Sequence, residues 1–452
     1  MRRLTFPAGF LWGVATSSHQ NEGNNHNNDF WAWEQIPGHV ADHSTSGLVA
    51  DWWRSAEADF DRAADLGLNT LRLSVEWSRL EPQPGVWDSA AFDRYRVMLH
   101  GLHERGIRPM VTLHHFSNPV WLAERGGWAN PAVVRHFERY VSHVAAELGD
   151  LVNVWGTINE PYIYAAMAYM LGDWPPGQRS LLQLAKVMRH QANAHAAAYH
   201  AIHQVQPGAQ VGVVKHLAGF DPYRPLWPGD RGVAALMDAL TNWRFLDAIT
   251  SGRFKLPLGL GLRRNLIAQG TNDFIGVNYY GRSRLRLHWR DVPVPAPPDL
   301  AWPVPWVNRE IYPRGLYRFL MKLRRYDRPV YITENGLADS TDLIRPGFLL
   351  AHLANVHHAI QDGADVRAYY HWTLVDNYEW TEGWTTRFGL FGLDTETQAR
   401  TMRRSARLYR EIIAANGITE EMVANHAPHI MAQVFDSADE PLPVEASEED
   451  AA

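Results

Sequence analysis

Cysteine is absent from all 452 residues, which excludes disulfides, thiolate metal sites and a cysteine nucleophile together. No apolar run reaches the length of a membrane-spanning helix. The first residues, MRRLTFPAGFLWGV, lack the longer apolar stretch and small-residue cleavage site of a secretory signal. These absences predict a soluble, cytoplasmic protein with no membrane partner. Positive charge is also scarce: 43 lysines and arginines against 49 aspartates and glutamates give a net charge of −6. No basic block of the kind a nucleic-acid groove requires is found, which argues against nucleic acid as a partner.

What the chain has is apolar bulk. Apolar residues make up 46% and aromatic residues 12% of the chain, enough for a large core and incompatible with a disordered or fibrous protein. Nineteen tryptophans stand out. Many, such as Trp12, Trp31, Trp128, Trp174, Trp372, Trp380 and Trp384, sit beside glycine, asparagine or acidic residues and not inside smooth apolar periodicity. Sugar rings stack their C–H faces on aromatic surfaces, but large enzymes also bury tryptophan for packing alone, and composition leaves both readings open.

Eight short apolar runs punctuate the chain, at 10–16, 69–74, 108–113, 153–158, 209–214, 273–278, 329–334 and 366–372. Between nearly all of them, stretches such as 54–66, 90–105, 131–148, 182–205, 315–325 and 347–361 place apolar residues at three- and four-residue intervals. This alternation predicts repeated βα units closing as a single (β/α)8 barrel. A doubly wound open sheet would want a glycine-rich phosphate turn, and neither GxGxxG nor GxxxxGK[ST] occurs. The segments after the first, fourth, sixth and eighth runs exceed ordinary βα loops and read as walls of a substrate pocket. Within them, 282–312 is too proline-dense for a helix and reads as an irregular wall or a mobile surface loop. Domain bounds follow: a barrel over 1–424, then an acidic, disordered tail over 425–452 ending PVEASEEDAA.

Two glutamates carry the chemical signal. Glu160 in TINEP and Glu334 in YITENG each follow a β-branched apolar run, so each carboxylate stands just past a strand's end. Two carboxylates so presented are the minimum equipment for breaking a glycosidic bond, one protonating the departing oxygen while the other attacks or stabilises the anomeric carbon. That chemistry needs no metal or organic cofactor. Taken alone, Glu160 before Pro161 also suits the start of a helix.

FLWGVATSSHQNEG, RLSVEWSRLEP, TINEP, VNYYGR, YITENG and DNYEW with its following GW and FGL together resemble glycoside hydrolase family 1, the family of β-glucosidases and related β-glycosidases. The resemblance runs from about residue 5 to about residue 415. It implies a (β/α)8 barrel and hydrolysis with retention, with small β-linked glucosides or short oligosaccharides as partners. Glu334 would be the nucleophile and Glu160 the acid/base, their carboxyls roughly 5 Å apart. Gln20 and His115 match the residues that bind the sugar's 3- and 4-hydroxyls, and Asn159 the one that binds the 2-hydroxyl. Glu379 and Trp380 match the pair on the 4-, 6- and 3-hydroxyls, with Trp372 as the stacking platform. Arg72 and Tyr280 would flank the nucleophile, with Asn278 in support. Retention of Glu379 implies unphosphorylated sugars, and Glu160 argues against the thioglucosidase branch, where glutamine takes the acid's place.

The chain departs from the family pattern at His115-Phe116, where His-Trp is usual, at His19-Gln20, where Tyr-Gln is usual, and near Arg309, with Trp306 as a displaced aromatic. Galactosides or fucosides remain open as side substrates. Twenty-two histidines invite a metal reading, but none has HExxH spacing and adjacent pairs such as His114 and His115 point apart on a strand, so no metal is expected. A carbohydrate-binding protein without turnover and a transglycosylase are the other two readings.

Overall fold

The computed structural model describes residues 2–288, 291–296 and 310–436. Eight parallel strands close into a barrel: β1 (Leu11–Ala15), β2 (Thr70–Ser74), β3 (Arg108–His114), β4 (Val154–Asn159), β5 (Gln210–Pro222), β6 (Phe274–His288), β7 (Val330–Asn335) and β8 (Val366–Trp372). Each pairs with its sequence neighbours, and β8 pairs with β1 to close the ring. All eight runs predicted from the sequence are strands.

The main helices between them are α1 (Trp52–Asp65), α2 (Ser89–Glu104), α3 (Val133–Leu148), α4 (Leu181–Val205), α5 (Arg244–Ser251), α6 (Pro313–Leu323) and α7 (Arg345–Gln361), with α8 (Arg404–Ala415) following β8. Local chemistry starts several of them. The Asp88 carboxylate accepts from Ala91 N–H at the head of α2, and the Ser180 hydroxyl from Gln183 N–H at the head of α4.

Strand side chains alternate between two apolar layers, because both faces of a parallel barrel strand are buried. Val111, Val213, Val277 and Ile332 point outward into the helix layer. Met110, Val214, Phe274, Tyr331 and Tyr370 point inward and fill the barrel. Gly13 makes room for the inward Tyr370, whose ring lies 2.7 Å from where a Cβ on residue 13 would sit. The inward positions thus form a solid plug, and the site lies above it at the strands' C-terminal ends.

Two expectations need correction. The segment after β6 is not irregular at its start: β5 and β6 continue side by side to the Pro222–Leu285 pair, and β6 then pairs antiparallel with Asp291–Ala296. That outer strand is an edge, where proline is tolerated. Trp306 and Arg309 lie outside the described residues. The expected tail also begins too early at 425. Helices Glu420–His426 and Met431–Phe435 bury Val423 and Val434, the helical turn Pro428–Ile430 between them buries Ile430, and the strand Gly417–Thr419 pairs with Arg3–Thr5. These helices are too short to show periodicity in sequence. The described body runs through Asp436, and residues 437–452 of the expected tail lie outside the described residues. Among the described residues no helix is long and apolar enough to cross a membrane.

Ile430 is 3% exposed, so Ile430→Ala is expected to cost about 2–5 kcal/mol by urea unfolding. An unchanged midpoint would return this segment to the status of a tail.

Candidate active site

The β4 and β7 ends set the two glutamates. Glu160 follows β4 with a left-handed backbone (φ 44°) and caps the helix opened by Pro161. Its N–H bonds to Val214 O at 2.8 Å, which ties the turn to β5. Glu334 is part of β7, paired in register with Asn278 of β6. Gly336 follows two residues later, and a Cβ there would lie 2.0 Å from Trp372 O, so the chain leaves β7 only through glycine.

Arg72 stands inside the barrel on β2 with no exposed surface. Its guanidinium donates to Glu334 Oε1 at 2.6 Å, Asn159 Oδ1 at 2.7 Å, Thr112 Oγ1 at 2.9 Å and Thr333 O at 3.3 Å. Tyr280 O–H donates to the other carboxylate oxygen, Glu334 Oε2, at 2.6 Å. Because arginine only donates, the Asn159 atom facing it is oxygen, and Asn159 Nδ2 must face His115 Nε2, 3.1 Å away. That nitrogen therefore accepts, and the His115 proton sits on Nδ1. Burial and the charge of Arg72 hold His115 well below the usual histidine range, so the ring is neutral.

Asn278 joins the two carboxylates. Its Oδ1 accepts from Thr333 O–H at 2.7 Å, and its Nδ2 donates to Asn159 Oδ1 at 3.1 Å and Glu160 Oε1 at 2.8 Å. His216 Nδ1 lies 3.2 Å from the same Glu160 oxygen.

Gln20, His115, Asn159, Glu160, Tyr280 and Glu334 line one cavity, and Trp372, Glu379 and Trp380 complete its wall. Arg72 and Asn278 sit beneath its floor. The structure thus brings every site residue expected from the sequence to one place. Gln20 Nε2 donates to Glu379 Oε2 at 3.1 Å and to Tyr378 O at 2.9 Å, while its Oε1 accepts from Ser17 O–H at 2.7 Å. The rings of His115 and Trp380 lie nearly parallel, 6.1 Å apart at 16°. At two of the three departures from the family pattern, Phe116 packs on Trp174 (4.8 Å) and Trp380 (5.2 Å), and His19 stacks behind Trp380 at 5.7 Å.

Sequence reasoning missed His216 and the cavity roles of Trp174, Met167 and Phe388. For His216 a signal existed. Inward alternation through Gly212 and Val214 continues to residue 216, but the apolar run ends at Val214 because Lys215 follows.

Burial pushes the Glu334 carboxyl up and the guanidinium of Arg72 pulls it back down, while the Glu160 charge adds to the rise and the bond from Tyr280 opposes it. Burial also pushes Glu379 up to about 8, with the charge of Glu334 adding and the bond from Gln20 opposing. Among the described residues no three His, Cys, Asp or Glu side chains converge as a metal site.

The family model for glycosyl hydrolase family 1 matches residues 2–418. The chain belongs to glycosyl hydrolase family 1. It is a retaining β-glycosidase on the family's barrel. A β-galactosidase of Sulfolobus acidocaldarius is 31% identical over 93% of this chain and 97% of its own length. β-Glucosidase A of Thermotoga maritima is 30% identical over 92% and 99%. Among solved structures, the β-glycosidase from Pyrococcus horikoshii superposes with a TM-score of 0.86 at 39% identity, covering 94% of this chain and 98% of that one. The Thermotoga maritima β-glucosidase in complex with glucoimidazole gives 0.85 at 29% identity, covering 92% and 100%.

Glu379 yields a linkage prediction. Its carboxyl sits at 4.5 when unfolded and about 8 when folded. The raised folded value contributes stability that is full below pH 4.5 and is lost as pH rises through 8. Glu379→Gln, which stays neutral, is expected to match the wild-type Tm at pH 4 and exceed it by several degrees at pH 9. A Tm difference independent of pH would contradict the burial account.

Proposed function

We propose that this enzyme hydrolyses unphosphorylated β-linked glucosides and short oligosaccharides, with β-galactosides as side substrates, using Glu334 as nucleophile and Glu160 as acid/base. The observation that carries the reading is that two carboxylates share one cavity with opposite surroundings. Glu334 is bound by a guanidinium and a phenol on its two oxygens, an arrangement suited to an anion. Glu160 is bound by the Asn278 amide and lies beside the His216 imidazole.

In the first half-reaction a Glu334 oxygen attacks the anomeric carbon, the glycosidic C–O bond breaks, and the departing oxygen takes the proton of Glu160. Esterification removes the Glu334 charge, so Glu160 holds its next proton less tightly. In the second, water attacks the same carbon, its proton passes to Glu160, and the ester electrons return to Glu334. Gln20, the neutral His115, Asn159, Glu379 and Trp380 offer polar groups to the sugar's hydroxyls, over the Trp372 face. Glu379 offers a phosphate no positive charge at its position. Relatives named β-galactosidase and β-glucosidase support both sugar configurations.

Glu160→Ala is expected to lower kcat/KM on alkyl β-glucosides about 10²–10⁴-fold while leaving kcat/KM on 2,4-dinitrophenyl β-glucoside near wild type. Azide should then yield the β-glycosyl azide. Glu334→Ala should be inactive on both substrates, with azide producing the α-glycosyl azide. The opposite anomer from either variant would reverse the assignment, and a p-nitrophenyl glycoside panel hydrolysed equally for every sugar would defeat the glucoside preference.

A further inference from the structure

His216 touches Glu160 yet takes no part in either half-reaction. It stands on β5 two residues beyond Val214, so the alternation that points Val214 into the barrel also points His216 into the cavity, and Lys215 outward. The ring is 3% exposed and lies nearly parallel to that of Tyr280, 6.1 Å away at 21°. Its Nδ1 is 3.2 Å from Glu160 Oε1.

The role of that nitrogen follows from its neighbours. Thr333 O–H fixes Asn278 Oδ1, so Asn278 Nδ2 is the donor to Glu160 Oε1, and Oε1 is already an acceptor. An imidazole Nδ1–H gives this oxygen a second donor. Two N–H groups on Oε1 leave Oε2 to carry the transferable proton.

We propose that His216 is a positioning residue for the acid/base: its Nδ1–H fixes Glu160 Oε1, directs the working proton to Oε2, and steadies the carboxylate that results once that proton is given up. The inference rests on Glu160 being the acid/base. A hydrogen bond to the ionised form favours that form, so a neutral His216 eases proton release to the leaving group. An imidazolium would hold Glu160 ionised from the start and remove the acid.

Other charged and titratable groups face this pair from each element around it. Glu334 and Glu379 repel the Glu160 charge across the cavity, and Tyr280 stands between Glu334 and His216. Arg72 reaches Glu160 through Asn159 and Asn278. On the outward face, Lys215 Nζ donates to Thr241 O at 2.9 Å; burial lowers this lysine to about 7, with the Glu160 charge pulling the other way.

The test compares pH profiles of kcat/KM for wild type, His216→Phe, which keeps the ring's shape without nitrogen, and His216→Asn, which keeps a donor that does not titrate. On an alkyl β-glucoside, whose departure needs the acid, the basic limb of His216→Phe should move up by about one pH unit. His216→Asn should keep the wild-type basic limb. On 2,4-dinitrophenyl β-glucoside, which leaves unaided, all three profiles should coincide. Unmoved limbs on the alkyl substrate, or equal losses on both substrates, would overturn the proposal, the second marking a merely structural ring. Glu160→Ala run alongside separates the two levels. If it shows no difference between the substrates, the acid/base assignment falls and the role of His216 with it; if it shows the difference while His216→Phe does not, only the role of His216 falls.

Discussion

The site depends on one buried guanidinium. Arg72 is surrounded by protein on all sides, and a charge so placed is tolerable only with full hydrogen bonding. Its partners are therefore fixed in identity as well as position. The carboxylate it binds is Glu334, and the amide oxygen it binds fixes Asn159. Through Asn159 it fixes the tautomer of His115, and through Asn278 the oxygen of Glu160 that accepts. Five side chains on or just past β3, β4, β6 and β7 are thereby oriented by a donor on β2 that cannot reverse its role. A barrel is well suited to this, because its strand ends converge and each strand needs to supply only one or two polar groups.

The same cavity concentrates negative charge in low dielectric. Burial raises Glu334 and Glu379 above the ordinary carboxylate range, the Glu160 charge adding to the rise at Glu334 and the Glu334 and Glu160 charges to the rise at Glu379. Folding would be easier without them. The structure tolerates this because the solid plug beneath, from Met110 to Tyr370, and the continuous helix layer outside supply the apolar burial that holds the strand ends in place. Positive φ recurs around the site, at Phe116 (75°), Glu160 (44°) and Trp380 (50°), and at Glu160 it lifts the carboxylate off the strand line.

Much of this was legible in the sequence. Strands buried on both faces show up as short β-branched runs, and helices with one apolar stripe show up at three- and four-residue intervals, so the βα rhythm gave all eight strands. The two glutamates announced themselves by lying at the ends of such runs, and the family resemblance supplied their companions. The failures have physical causes. Met431–Phe435 is shorter than two helical turns and buries Val434 alone among its residues, which leaves no period to read. Proline-rich 282–312 suggested irregularity because proline disfavours central strands, whereas an edge strand accepts it. His216 was hidden by Lys215, a charge that breaks the apolar run although the strand continues beneath it. Hydrogen-bond polarity, which assigns the His115 tautomer and the Glu160 acceptor, belongs to three-dimensional convergence and has no sequence signature.

The central claim is that Arg72 and Tyr280 present Glu334, and not Glu160 or Glu379, as the group that bonds to the sugar. Incubation with a 2-deoxy-2-fluoro-β-glucoside bearing a dinitrophenolate leaving group slows turnover of the intermediate, so that proteolysis and mass spectrometry can locate the attached sugar. The account predicts one sugar per chain, on the peptide containing Glu334. A sugar on the Glu160 or Glu379 peptide, or inactivation with no sugar attached, would contradict it.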